Sequence, residues 1–206
     1  MGSDLLDQAA TQEFEIFKLG HPALRLRSEE VNPSEIGSEK INNILVRLKQ
    51  TKQTVGLSAP QLGINYRIFL TELPTRLSSR YLGYTPSPLQ IWINPSYTVV
   101  DDTMLGGCES CLSVPGYIGR VLRPAAIEVQ ALNEDGKSVI ETLSGWNARV
   151  FLHEYDHLDG ILYVDKLAED PEGRKELFEK SMWEVIEAEK RKAGDAEWLA
   201  RFRLKQ

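Results

Sequence analysis

The stretch Ala148-Arg149-Val150-Phe151-Leu152-His153-Glu154-Tyr155-Asp156-His157-Leu158 constrains this chain more than any other. On a helix, residues four apart lie one turn above the other on one face, so His153 and His157 can each offer a nitrogen to a single metal ion. Glu154 sits beside that face, where its carboxylate can serve a metal-bound water as general base. Ala148, Phe151, Leu152, Tyr155 and Leu158 form an apolar stripe, and Trp146 and Val150 continue the histidine row backwards. So little polar circumference remains that the helix belongs inside the fold, where its imidazoles and carboxylates need partners. A metal satisfies several of them at once; a chance meeting of two histidines is the alternative that the bare motif leaves open.

With 206 residues the chain has room for one well-cored domain and an appendage. Its net charge of -6 comes without a basic block, which argues against sequence-specific nucleic acid as a ligand. No apolar run approaches the roughly 18 residues that span a bilayer, so no membrane partner is expected. The opening Met1-Gly2-Ser3-Asp4-Leu5-Leu6-Asp7 has neither signal nor transit character, and the expected location is cytoplasmic. Thiols stay reduced there, so Cys108 and Cys111 are expected to be free. One thiolate with two imidazoles makes a three-point site with an open position; Cys108, Cys111, His153 and His157 together would make a closed structural one. A third arrangement takes a downstream carboxylate, Glu176 or Glu179, as the ligand beside the two histidines.

The rest of the chain divides by its periodicities. Residues 14–19 read as a short strand before the turn at Gly20-His21-Pro22, where His21 is a solvated turn residue. Ser38 is an N-cap, and Ile41, Ile44, Leu45 and Leu48 mark an amphipathic helix to about Lys52. Thr54-Val55-Gly56-Leu57-Ser58-Ala59-Pro60-Gln61-Leu62-Gly63 is a loop of small residues that lets another backbone come close, and Gln61 is its only amide side chain. Strands are expected at 67–72, 90–94, 97–100, 117–122, 126–132 and 139–143, with a long loop over 73–89 and a hairpin turn at Asn133-Glu134-Asp135-Gly136. Successive strands joined by turns make antiparallel sheets, so the predicted class is α+β: sheets packed around the buried central helix. Two charge-rich helices are expected over 171–192 and 195–205. Nine basic and eight acidic residues fall in 171–206, a net of +1 that leaves -7 for residues 1–170. The clusters Lys190-Arg191-Lys192 and Arg201, Arg203, Lys205 are a solvated face or a contact for RNA.

Three blocks stand in order: Gly56-Leu57-Ser58-Ala59-Pro60-Gln61, Glu109-Ser110-Cys111-Leu112-Ser113 and His153-Glu154-Tyr155-Asp156-His157-Leu158-Asp159-Gly160. Together they resemble the three motifs of peptide deformylases, which remove the N-formyl group from the initiator methionine of new polypeptides. The resemblance runs from about Ile16 to Tyr163, and implies a catalytic domain over 1–170 with 171–206 as its C-terminal helical extension. It implies that Cys111, His153 and His157 hold one divalent ion, ferrous iron in the cell, with Zn2+, Ni2+ or Co2+ able to replace it. Glu154 would move the proton, and metal-bound hydroxide would attack the formyl carbon. Gln61 and the N–H of Leu112 would stabilise the oxyanion. The substrate backbone would lie near Val55, Gly56 and Ser110, with Val55, Trp146 and Val150 as candidates for the methionine slot. Glu109 is either a support for a ligand or a solvated loop carboxylate. Partners implied are formylated nascent peptides and, through the C-terminal helices, the ribosome.

Three positions depart from the family pattern: Thr54 and Ser110 stand where glycine is usual, and Leu152 where glutamine is usual. Ser110 adds a side chain next to Cys111, and Leu152 removes a polar contact behind the histidines.

Overall fold

Ser38 starts the first helix, α1 (Glu39–Thr51), by accepting the Ile41 N–H on its hydroxyl at 3.3 Å. The computed structural model describes residues 15–52, 55–77, 84–171 and 173–181. Ile41, Ile44, Leu45 and Leu48 share the buried face of α1, as their spacing predicts. They pack with Leu57 of β1 (Gly56–Ser58) and with Ile68 and Leu70 of β2 (Ile68–Leu73) in one apolar cluster.

The sheet follows chain order. β1, β2, β3 (Ser87–Cys111), β4 (Val114–Leu132) and β5 (Ser138–Ser144) pair in succession, and β6 (Leu177–Glu179) adds to β4. Every pairing is antiparallel, so the class is α+β as expected. The turn after Leu132 is the predicted hairpin: Asn133 Oδ1 accepts from the N–H groups of Asp135 and Lys137, and Gly136 takes a φ of 74°.

Several strand expectations need correction. Residues 90–94 and 97–100 are parts of one strand that runs on through both cysteines, and 117–122 and 126–132 are likewise one strand. Register shifts between Ile93 and Ser96, Val99 and Asp101, Asp101 and Met104, and Glu109 and Cys111 break the in–out alternation that marks a strand in sequence. Residues 15–19 join no ladder; Phe17 N–H donates to Gln61 O at 2.8 Å and Leu19 N–H to Ser113 O at 2.7 Å. Leu177–Glu179 is a strand inside the first expected tail helix. The first half of β4 has no β5 neighbour, so its open edge pairs Tyr117 with Glu179 and Gly119 with Leu177. The rest of that helix beyond residue 181, and the second one, lie outside the described residues.

α2 (Gly145–Leu158) follows β5 directly. Ala148, Phe151, Leu152 and Leu158 pack on Phe69, Trp92, Ile127 and Val129 of the sheet. Phe151 meets Trp92 edge to face, with ring centroids 5.1 Å apart. The helix is thereby fixed in rotation, and its other side is turned to β1 and the end of β3.

Candidate metal centre

Cys111 ends β3, and His153 and His157 lie one turn apart on α2. Their ligand atoms all fall within 4.8 Å of one another, the one such group of three among the described residues. Cys111 Sγ lies 3.3 Å from His157 Nε2. A tetrahedral ion about 2.3 Å from sulfur and about 2.1 Å from nitrogen holds two such ligands about 3.6 Å apart, so the cluster fits an ion with a small adjustment. Three protein ligands also leave a four-coordinate ion one open position.

Glu109 decides which nitrogen His153 presents. Its Oε2 lies 2.9 Å from His153 Nδ1, and because an ionised carboxylate only accepts, Nδ1 carries the proton and Nε2 is left for a metal. Glu109 is 5% exposed, which overturns the solvated-loop reading. Arg123 reaches both its oxygens, Nε to Oε1 at 3.0 Å and Nη2 to Oε2 at 2.9 Å, and Arg149 Nη1 donates to Oε1 at 2.8 Å. Arg123 Nη1 donates onward to Asp156 Oδ2 at 2.5 Å, and Lys166 Nζ to Asp156 Oδ1 at 2.6 Å. Burial alone would raise the Glu109 carboxyl, but the Arg123 charge and the bonds from His153 and Arg123 hold it far below the usual carboxylate range.

The same balance acts on the ligands. Burial would raise the Cys111 thiol, yet His157 and His153 hold it well below the ordinary thiol range, which favours the thiolate. Burial would lower His153, and its contacts with Cys111 and Glu109 raise it well above the usual imidazole value. A metal needs the His153 Nε2 free of its proton, so ligation would compete with protonation there.

Glu154 is buried beside them, and its Oε2 has no hydrogen-bond partner among the described residues. Burial pushes its carboxyl up to about 7 against the pull of the two histidines. Gly56 allows this placement: a Cβ there would meet Glu154 Oε1 at 2.4 Å. Gln61 is also buried, in a single 3-10 turn over Ala59–Leu62. Its Oε1 accepts from the N–H and the hydroxyl of Ser58, both at 3.0 Å, and its Nε2 lies 3.4 Å from Cys111 Sγ and 3.1 Å from Ser113 Oγ.

Leu112 is half-buried in the turn after Cys111, Val55 is half-buried and receives the Glu72 N–H on its carbonyl at 2.8 Å, and Ser110 is exposed. Val150 is buried; Trp146 is half-buried with the Arg149 guanidinium 5.7 Å from its ring. Leu152 faces the apolar cluster under α2, and Thr54 lies outside the described residues. Cys108 forms no disulfide and does not join the ligand group. Neither does Glu176, which accepts from Arg120 Nη1 at 2.6 Å, nor the exposed Glu179. His21 stays on the surface, accepting from Ala23 N–H at 3.2 Å.

Sequence reasoning missed Arg123, Arg149 and Asp156. Arg149 carried a signal: one turn before His153 on an otherwise apolar helix, a cation demands a buried anion, and Glu109 stands two residues before Cys111. Arg123 meets Glu109 only through the β3–β4 pairing and Asp156 only through the packing of α2 on the sheet, which no local pattern reveals.

A family model described as polypeptide deformylase matches residues 13–172. Peptide deformylase 3 of Streptomyces avermitilis is 38% identical over 157 residues, which cover 73% of this chain and 70% of that protein. Peptide deformylase 1 of Prochlorococcus marinus is 39% identical over 158 residues, 75% of this chain and 81% of that one. Among solved structures, a Met-Ala-Ser-bound class I type b peptide deformylase from Acinetobacter baumannii matches with a TM-score of 0.68 at 29% identity, covering 74% of this chain and 96% of its own.

Proposed function

The chain belongs to the polypeptide deformylase family, and on that premise we propose how its residues act: it hydrolyses the N-formyl amide of the amino-terminal formyl-methionine of new polypeptides and releases formate. One arrangement carries this reading, three metal-ligand atoms within 4.8 Å beside a buried carboxylate whose Oε2 has no protein partner among the described residues. Cys111, His153 and His157 hold the divalent ion, ferrous iron in the cell, with zinc, nickel or cobalt accepting the same ligands. The ion supplies Lewis acidity, which makes water a nucleophile near neutral pH and favours charge on a carbonyl oxygen.

The other residues bind, aim and move protons. Glu154 takes a proton as water adds to the formyl carbon and returns it to the departing amine; a carboxyl near 7 exchanges that proton at small cost in either direction. Gln61 Nε2 and the Leu112 N–H donate to the oxygen that becomes negative. The peptide lies extended beside Val55, Gly56 and Ser110 as an added strand, and Val55, Trp146 and Val150 offer apolar surface to the methionine side chain. The Acinetobacter structure holds Met-Ala-Ser, the tripeptide that deformylation of formyl-Met-Ala-Ser leaves. The family match to residues 13–172 supports 1–170 as the catalytic unit. The basic clusters of 190–192 and 201–205 are assigned to contact with the ribosome in the cytoplasm, on charge alone: +1 for 171–206 against -7 before it.

The test is formate release from formyl-Met-Ala-Ser by protein loaded anaerobically with ferrous iron. The parent should release formate, Cys111→Ser should lose both metal and activity, and Glu154→Ala should keep the metal while turnover falls by about 10²–10⁴-fold. A parent protein that binds one ion and releases no formate, or a Glu154→Ala variant with parental turnover, overturns this account.

A further inference from the structure

Gln61 and Ser113 are tied together twice over. Side chain to side chain, Gln61 Nε2 donates to Ser113 Oγ at 3.1 Å. Through the main chain, residues 17–19 reach both: Phe17 N–H donates to Gln61 O and Leu19 N–H to Ser113 O, at 2.8 and 2.7 Å. Ser113 N–H is also directed at Cys111 Sγ, 3.4 Å away, which links the same residue to the ligand cluster. Ser113 is wholly buried, so its hydroxyl is held in one place.

The far end of the Gln61 amide is fixed as well. A main-chain N–H cannot accept, so the Ser58 N–H on Oε1 forbids the flipped amide, which would set donor against donor. With Oε1 fixed, the two hydrogens of Nε2 have fixed directions. One goes to Ser113 Oγ, and the other is aimed at Cys111 Sγ, 3.4 Å away and therefore at the ligand cluster. The contact to sulfur is the weaker of the two and the one that a substrate oxygen can replace.

We propose that Ser113 is a positioning residue for deformylation: its buried hydroxyl accepts one Gln61 N–H and so aims the other at the oxygen of the formyl group. This rests on the reading of Gln61 as oxyanion donor. Residues 17–19 are the main-chain brace that keeps the two turns at the required separation.

The experiment is a double-mutant cycle on the zinc-loaded protein, with zinc content and melting temperature recorded for each variant. Gln61→Ala should lower kcat by about 10²-fold with little change in KM. Ser113→Ala should lower kcat by about 10-fold, again with KM preserved. In the Gln61→Ala background the Ser113→Ala change should cost less than about twofold, because there is no amide left to aim. A second reading is independent of turnover: the Gln61 side-chain amide of the parent should give two distinct, slowly exchanging 15N-bound protons, and Ser113→Ala should speed their exchange. If Gln61→Ala keeps parental kcat, the oxyanion reading fails and this inference falls with it. If Gln61→Ala is impaired while Ser113→Ala keeps parental kcat, or costs equally in both backgrounds, the positioning role alone is overturned. Should Ser113→Ala not fold, Ser113→Cys supplies a poorer acceptor of similar size, and parental kcat with parental amide exchange in that variant is equally decisive against it.

Discussion

A carboxylate is costly to bury, and Glu109 stays ionised in the interior because Arg123 and Arg149 hold its oxygens on one side while His153 donates to it on the other. Glu109→Gln keeps the shape and removes the charge, so two buried guanidiniums lose their anion. Urea titration of the zinc-loaded variant should show about 3–5 kcal/mol less stability. Zinc affinity should fall by about 10–100-fold, because His153 is no longer held in the ligating tautomer. The pH dependence has a definite sign. The folded value lies below the unfolded one, so the stabilisation is complete above the unfolded carboxylate value of about 4.3 and is lost progressively as pH falls towards the folded value. Stability of the parent should therefore drop more steeply between about pH 5 and 2 than that of Glu109→Gln. Equal slopes would mean that Glu109 is not the group protected in the folded state. At this scale the sequence made Cys111, His153, Glu154, His157 and Gln61 legible, because each is a chemically distinctive side chain in a short block. Arg123 was illegible because its partners, Glu109 and Asp156, are 14 and 33 residues away along the chain.

Among the elements, α1 and α2 could be read from spacing because a helix face is a local pattern, and the Asn133 turn from its own side-chain chemistry. β3 and β4 could not be read as single strands. Paired glycines weaken a strand interior, yet Gly106-Gly107 lies within β3, where a Cβ at 106 would meet Arg120 Nε at 2.8 Å and one at 107 would meet Arg149 Cζ at 2.7 Å. Those glycines are there to let guanidiniums cross the strand, a need visible only once the sheet and α2 are assembled. Gly56 of β1 poses the same requirement beside Glu154. An added Cβ would lie 2.4 Å from Glu154 Oε1 and 2.8 Å from its Cδ and Cγ, so the carboxylate must shift. Gly56→Ala should fold, bind zinc normally, and lose about 10²-fold in kcat on formyl-Met-Ala-Ser, the scale of penalty for a misplaced catalytic group. Parental kcat in that variant would show that Glu154 does not need this position.

The described residues form three apolar clusters, one under α1, one under α2 and one against which Cys111 packs. Clusters of this extent are expected to keep the fold without an ion, unlike a small domain whose structure exists only when metal is bound. An ion held by Cys111 and His157 would join the end of β3 to α2 across 46 residues of chain. Because the ligands converge only in the folded chain, free metal at about 100 to 1,000 times its Kd should add about 2.7 to 4.1 kcal/mol to stability. For a chain of this length each kcal/mol moves the melting temperature by about 2–4 °C, so stripping the zinc-loaded protein with a chelator should lower it by roughly 5–16 °C and leave a cooperative transition. Cys111→Ser, which removes a ligand from outside α2, should melt near the stripped parent and respond little to chelator. Loss of the transition on chelation would instead make the ion part of the core, and would favour a closed structural site over one that keeps a position open for substrate.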